Sequence, residues 1–332
     1  MNPVAVIGAG SWGTALAVHL ARNGAPCVLW ARGDRAVELQ AQRENRPYLP
    51  GRPFPDALRV SGDLGAVLRA APFILFVVPV QASRAIFRQA ARFVPPGVDI
   101  IIASKGIEQN TRLRLSQVLA QELGPDAADR CTVLSGPSFA AEVVRGDPTA
   151  VVVAGQSAAA TQRAQALLSV GNLRVYRNSD LIGVELGGAL KNVMAIATGI
   201  VEGMGLGDNT RAALITRGLA EIARLGTALG GDAATFAGLA GAGDLILTCT
   251  GSLSRNRSVG MAVGRGRSLD EVLGEMRMVA EGVATTRAVV VLAAERGVEM
   301  PIASKVHEIL FEGRPVHDAV QDLLSRPLKE ES

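Results

Sequence analysis

The stretch that most restricts the fold lies near the start of the chain. The apolar run 4–7 breaks at Gly8 and resumes, after Gly10, Ser11, Trp12 and Gly13, as the helix-like TALAVHLARNG. Three glycines at this spacing between a strand and a helix have separate tasks: Gly8 permits a tight turn, Gly10 lets a pyrophosphate reach the backbone, and Gly13 lets helix pack on strand. The helix then aims its free N-terminal amides at the phosphates. The bare spacing is weak, but a second strand-like run at 27–31 follows at the distance a βαβ unit requires, and that context makes the fingerprint specific.

At the end of the second strand an NAD-selective fold carries an acid for the ribose hydroxyl. Arg32 stands there instead. A guanidinium can pair with a 2′-phosphate and stack on adenine, which favours NADPH over NADH, while Asp34 keeps NADH in play and Arg35 offers a second cation. A solvated loop arginine is the other reading.

Strands expected near 58–60, 73–78, 99–103, 131–134, 150–153 and 173–176 alternate with helices at 34–44, 63–70, 81–93, 112–123 and 158–168. Such alternation predicts an α/β fold, a Rossmann-type doubly wound parallel sheet covered on both faces, over residues 1–178. Ligands of these sheets collect beyond the carboxyl ends of the strands. Pro79 and Lys105 fall at two such ends, and the turn Ser135, Gly136, Pro137, Ser138, Phe139, Ala140 at a third. Lys105 suits an anion, and a surface lysine is the alternative.

From 179 to 332 helical periodicity takes over, with helices expected at 181–203, 210–229, 255–263, 269–276, 283–296, 302–311 and 317–324, an all-α second domain. Asp180, the pair Asp208 and Asn209, and the box from Ser268 to Glu271 supply caps. Lys191 shares a helix face with Val184, Gly187, Gly188, Met194, Ala195 and Thr198. On that small, apolar face it is either a snorkelling stem or a desolvated amine fit for proton transfer. The two glycines one turn earlier suggest that something approaches the backbone closely. Asp244, read as lying in the glycine-rich turn after Gly241 and Gly243, could hold a lysine amine or simply be a turn residue. Ser254 reads as an N-cap that aims the amides of Arg255, Asn256 and Arg257 outwards and, with the guanidinium groups, makes a phosphate site; an ordinary basic helix face is the alternative.

Several function classes drop out. A net charge of +3 with only 4% aromatic residues gives neither the field nor the stacking surface that nucleic acid requires. Cys27, Cys131 and Cys249 are dispersed, and His19, His307 and His317 form no ligand spacing with them, so no metal site is expected. Unpaired thiols suit a reducing cytoplasm. The N-terminus lacks a signal-peptide pattern, and the apolar run at 73–80 is far short of the roughly 20 residues of a spanning helix, so stable membrane insertion is not expected.

Taken together, GAGSWGTALA, ENRPYLPG, SKGIE, SGPSFAAEV, ELGGALKNVMAIATGIVEG, GLAGAGDLILTC, SRNRSVG and AEGVATT resemble the bacterial glycerol-3-phosphate dehydrogenases that use NAD(P). The resemblance covers nearly the whole chain. It implies an all-α second domain similar to that of 6-phosphogluconate dehydrogenase, and reversible reduction of dihydroxyacetone phosphate to sn-glycerol 3-phosphate, a precursor for glycerophospholipids. It also implies contacts to the reduced cofactor from Ser11, Trp12, Arg32, Lys105, Ala140, Arg255, Val279 and Glu281. Substrate contacts implied are Lys105, Gly136, Ser138, Lys191, Asp244, Ser254, Arg255 and Asn256, with Lys191 moving the proton. A homodimer is compatible with this reading. The family often has a second basic residue or a histidine after the arginine at the end of the second strand, where this chain has Gly33.

Overall fold

The computed structural model describes residues 2–276, 278–328 and 330, so the outer limits of the two expected segments, residues 1 and 332, lie outside the described residues. Eight strands form one sheet: β1 (Val4–Ile7), β2 (Cys27–Trp30), β3 (Leu58–Ser61), β4 (Phe73–Phe76), β5 (Asp99–Ile102), β6 (Cys131–Ser135), β7 (Thr149–Gly155) and β8 (Leu173–Asn178). Between them run α1 (Ser11–Arg22), α2 (Asp34–Gln42), α3 (Leu64–Arg69), α4 (Val80–Ala90), α5 (Leu115–Leu123), α6 (Pro125–Asp129), α7 (Ala140–Arg145) and α8 (Ala158–Leu168). The remainder is helical: α9 (Leu181–Gly203), α10 (Asp208–Ala228), α11 (Ala233–Ala237), a π-helical turn (Leu239–Gly243), α12 (Asp244–Thr250), α13 (Arg255–Gly264), α14 (Leu269–Glu275), α15 (Glu281–Glu295), α16 (Pro301–Phe311) and α17 (Val316–Leu324).

The sheet order is β3-β2-β1-β4-β5-β6-β7-β8, so the chain reverses its direction of travel at β1, next to β4, the switch point where such sheets bind ligands. Successive side chains of each strand serve opposite faces. Leu75 and Ile101 pack with Leu16 and Leu20 of α1 on one side. Ile74, Phe76, Ile100 and Ile102 pack with Phe87 and Leu119 on the other. One expectation is corrected here: β6 and β7 pair antiparallel, Val133 opposite Ala154, while every other neighbouring pair is parallel.

The third core surrounds α9, whose Val193, Met194 and Ile196 meet Leu225, Val259 and Val289. Helix α9 is long and apolar enough to cross a membrane by length and composition, which the sequence reading overlooked, yet its most apolar window is wholly buried inside the protein. It crosses α13 at very short range, because Gly199 and Gly203 face the carbonyls of Arg257 and Met261 while Gly260 and Gly264 face those of Ile196 and Ile200. A methyl group at any of the four would collide with backbone.

Local signals decided several boundaries. Asp180 accepts a hydrogen bond from the Gly183 amide at 2.8 Å and starts α9 as expected. Ser268 and Glu271 close their capping box. Asp208 and Asn209, by contrast, lie inside α10; Gly207 is the N-cap and offers no side chain, so Asp208 acts through its charge on the first turn. The helix expected from 112 begins at Leu115, because Arg112 takes a left-handed φ of 60°. The segment 241–244 is not a loop turn: Leu239–Gly243 forms the π-helical turn and Asp244 opens α12.

Candidate active site

At the carboxyl ends of β5 and β6, Lys105 and Ser135 meet α9 at Gly188, and Lys105 reaches Asp244 at the start of α12. Gly8 adopts φ 117°, and a β-carbon there would sit 2.6 Å from the Val77 carbonyl oxygen. Gly13 packs against the Gly8 carbonyl with no room for a side chain, whereas a β-carbon on Gly10 would meet nothing within 4 Å. The N-terminus of α1 has no side-chain cap. Open space over Gly10 and uncapped amides behind it fit a dinucleotide pyrophosphate. Asn45, buried in the loop after α2, donates to the Ala9 carbonyl at 3.0 Å and to Thr14 Oγ1 at 2.7 Å, fixing this turn from outside. Sequence reasoning did not single it out.

Arg32 is exposed at the end of β2. Arg35 is not a second free cation, since it donates to Glu38 at 2.5 Å and to Asn45 Oδ1 at 2.6 Å. Ser11 Oγ points to Met278 Sδ at 3.4 Å. The Trp12 Nε1 is buried without a partner among the described residues. Ala140 is the first residue of α7.

The chemical centre is a carboxylate gripped by two amines. Lys191 Nζ donates to Asp244 Oδ1 at 2.5 Å and to Thr248 Oγ1 at 2.7 Å. Lys105 Nζ donates to Asp244 Oδ2 at 2.7 Å and to the Gly136 carbonyl at 3.0 Å. Lys191 is 6% and Asp244 1% exposed, so these are buried charges rather than snorkelling ones. Burial, reinforced by the charge of Lys105 and opposed by Asp244, lowers the Lys191 ammonium from 10.5 to about 8. Burial works against ionised Asp244, but Lys105 and Lys191 outweigh it and hold the carboxyl below its ordinary value. An amine near 8 is close enough to neutrality to give and take protons.

Both glycines before Lys191 are needed for this convergence. A β-carbon on Gly187 would lie 2.7 Å from the Ala240 carbonyl oxygen of the π-helical turn, and one on Gly188 2.6 Å from Ser135 Oγ. The expected close approach to the backbone is therefore made by β6 and by the segment that delivers Asp244. Thr248, one helical turn after Asp244, escaped the sequence reading; its hydroxyl donates to the Asp244 carbonyl at 2.6 Å and accepts from Lys191. Ser138 Oγ donates to the Gly136 carbonyl at 2.9 Å beside Lys105.

A second group of expected residues surrounds the start of α13. Ser254 caps it through the Arg257 amide at 3.3 Å, which leaves the amides of Arg255 and Asn256 facing outwards. Asn256 Nδ2 donates to Asn192 Oδ1 at 2.9 Å, joining this helix end to the residue after Lys191, and its Oδ1 accepts from the Gly282 amide at 2.9 Å. Arg255 is exposed and donates to the Val279 carbonyl at 2.8 Å, and Val279 itself is 51% exposed. Arg257 does not join a phosphate cluster: it pairs with Glu202 at 2.8 and 2.5 Å. Glu281 accepts from the Val80 amide at 3.1 Å through Oε1; its Oε2 is buried without a partner among the described residues, and burial raises this carboxyl. Among the described residues no cluster of three His, Cys, Asp or Glu side chains could hold a metal ion. The three cysteines are free and buried.

Comparison with known proteins adds to this geometry. Residues 3–161 match the family model for the N-terminus of NAD-dependent glycerol-3-phosphate dehydrogenase, and residues 180–321 match the model for its C-terminus. The chain is 50% identical to glycerol-3-phosphate dehydrogenase [NAD(P)+] of Geobacter sp. (strain M21), covering 99% of this chain and 98% of that protein. It is also 50% identical to the protein of the same name from Moorella thermoacetica, over 98% and 96%. The crystal structure of glycerol-3-phosphate dehydrogenase from Coxiella burnetii superposes with a TM-score of 0.93 at 43% identity, covering 98% of this chain and 99% of that one. A ketopantoate reductase from Ralstonia eutropha, at 16% identity and a TM-score of 0.60 over 96% and 99%, shares the fold alone.

Proposed function

The chain belongs to the NAD-dependent glycerol-3-phosphate dehydrogenase family, and from that premise we propose that Lys191 is the acid and base of the reaction this family performs. The protein is an NAD(P)-dependent oxidoreductase that interconverts dihydroxyacetone phosphate and sn-glycerol 3-phosphate. One observation carries the residue assignment: a buried amine near 8 shares a single carboxylate with a second lysine, which follows the carboxyl end of β5.

When bound, the reduced nicotinamide supplies the hydride that the C2 carbonyl carbon receives. Lys191 donates its proton to the C2 oxygen as negative charge grows there, and takes it back from the hydroxyl in the reverse direction. Asp244 and Thr248 hold the amine in one orientation, so that the proton is directed and not merely available. Lys105, with the Gly136 and Ser138 turn, steadies the same end of the substrate. The amides at the start of α13, with Arg255, Ser254 and Asn256, hold the phosphate, a contact remote from the reacting carbon that contributes orientation and therefore turnover.

Gly8, Gly10, Ser11, Trp12, Gly13, Ala140, Val279 and Glu281 line the cofactor path in this reading, and Arg32 tilts the preference to NADPH. The division at 178/179 puts the dinucleotide on the sheet and Lys191 on the helical part. A cytoplasmic location suits three free, buried thiols, and the product suits glycerophospholipid synthesis. A homodimer remains part of the reading, and sedimentation of the purified chain tests it.

Oxidation of NADPH and NADH, followed at the nicotinamide absorbance band with dihydroxyacetone phosphate and with unphosphorylated dihydroxyacetone, tests the whole scheme. NADPH and the phosphorylated ketone should each be preferred, and Arg32→Ala should erase the first preference without touching the second. Equal rates with both ketones would remove the phosphate site.

A further inference from the structure

One buried carboxylate close to the centre has no part in the scheme above. Glu185, on α9 and 6% exposed, accepts from the Ser116 amide at 2.8 Å through Oε1. Its Oε2 accepts from Ser116 Oγ at 2.6 Å and from Arg114 Nη1 at 2.8 Å. The charged group that faces it is Arg114, and the thiol of Cys131 lies within its field.

Arg114 is the far end of the loop that begins at Lys105. That loop folds back on itself: Ile107 and Arg114 form an isolated antiparallel bridge, and the Glu108 amide donates to the Leu113 carbonyl at 3.0 Å. At its near end the stem of Lys105 crosses α9 over Gly188, where a β-carbon would touch Lys105 Cγ and Cδ at 3.5 and 3.6 Å. Residues 185, 188 and 191 are spaced by three and lie along one inclined row of the helix surface, spanning about 9 Å at 1.5 Å per residue. The loop is thus fastened to this row at two points, Arg114 on Glu185 and Lys105 over Gly188. The row's third member is Lys191.

We propose that Glu185 is a positioning residue for the reaction: by holding Arg114 and Ser116 it fastens the Lys105 loop along α9 and sets how closely Lys105 and Lys191 approach their shared carboxylate. The inference rests on the acid and base role of Lys191. Gln81 and Arg84 of α4 hold the middle of the loop through Ile107, Gln109 and Glu108, so without the fastening its second hold on α9 is lost and Lys105 shifts away from Asp244. Lys191 is then faced by Asp244 and Cys249 from α12, with less repulsion from Lys105, and it holds its proton to a higher pH. Carbonyl reduction requires that proton, so its rate falls as pH rises through the Lys191 value, and this alkaline limb reports the spacing of the two lysines.

The experiment is the pH profile of kcat for dihydroxyacetone phosphate reduction in the parent, Glu185→Ala, Glu185→Gln and Arg114→Met, with urea melts of each. In Glu185→Ala the alkaline limb should move up from about 8, with kcat at neutral pH down about tenfold through misplacement. Arg114→Met breaks the same tie from the more accessible partner and should move the limb in the same direction. Glu185→Gln keeps an acceptor and should fall between. The double variant should move it no further than the larger single change, because both act through one contact. Limbs unmoved in all variants, with kcat lowered only as far as the folded fraction, would reduce Glu185 to a cap on α5 and overturn the proposal. Lys191→Met separates this failure from failure of the acid assignment: if that variant keeps parental turnover and the parental limb, the role of Lys191 falls and the inference falls with it.

Discussion

Replacing Lys191 with methionine should stabilise the protein while abolishing most of its turnover. Unfolding returns the amine to its ordinary value of 10.5, whereas the folded chain holds it at about 8. Between those values the unfolded chain binds a proton that the folded one has released, so stability rises with pH across that window. Below about 8 both states are charged, and the folded state bears the full cost of the buried ammonium. At 1.36 kcal/mol per tenfold in acidity, a fall from 10.5 to about 8 amounts to about 3 kcal/mol. Methionine is apolar and unbranched, it leaves Asp244 paired with Lys105 at 2.7 Å, and it leaves the Thr248 hydroxyl bonded to the Asp244 carbonyl. Urea melts of parent and variant at several pH values report the effect between about 8 and 10.5, since titrating groups away from the site are common to both and Asp244 keeps its pairing with Lys105. The variant should be the more stable by up to about 3 kcal/mol at pH 7, with the gap closing towards zero near 10.5. Turnover at saturating NADPH and dihydroxyacetone phosphate should drop by about 10²–10⁴. A gap that does not change with pH, or a parent that is the more stable at neutrality, would refute the assignment of a desolvated amine.

Two further changes probe the surroundings of the site. Gly187→Ala adds a methyl 2.7 Å from the Ala240 carbonyl oxygen, so the gain in helix propensity should be outweighed by about 1–3 kcal/mol of overpacking. Thermal melting should show the loss, and kcat should fall with it because the displaced π-helical turn carries Asp244. Elsewhere, Glu221 is a buried carboxyl raised from 4.5 to about 7 by burial, which its hydrogen bonds from the Ile302 and Ala303 amides only partly offset. Between those values the folded chain keeps a proton that the unfolded one has lost, so this group lowers stability by about 3 kcal/mol as pH rises from 4.5 past 7. Urea midpoints at pH 5 and pH 8 should reveal that decline in the parent and a flatter response in Glu221→Gln.

What the chain disclosed in advance, and what it withheld, follows from the range of the interactions concerned. The glycine turn, the strand ends and the caps at Asp180, Ser254 and Ser268 are written within a few residues, and the fold places them as read. The antiparallel β7 was not legible, because its own residues suit either direction and only pairing with β6 decides it. Gly241 and Gly243 suggested a loop turn, yet neither has a positive φ. A β-carbon at Gly241 would collide with the Phe236 backbone, so that glycine marks close approach inside helical structure. Read as a turn, the segment hid Thr248; read as helix, 244 and 248 stand one above the other and the hydroxyl falls on the amine that Asp244 holds. The cations were misjudged for a related reason. Arg35 and Arg257 looked as available as Arg32 and Arg255, but the first is held by Asn45 across a loop and the second by Glu202 from another helix. A residue's charge is local information, whereas its availability depends on partners brought up by the fold. The same holds at the centre: Lys191 could be suspected from its apolar face, but what brings its ammonium down to about 8 is burial, opposed by Asp244 and reinforced by Lys105, in surroundings that different parts of the chain supply.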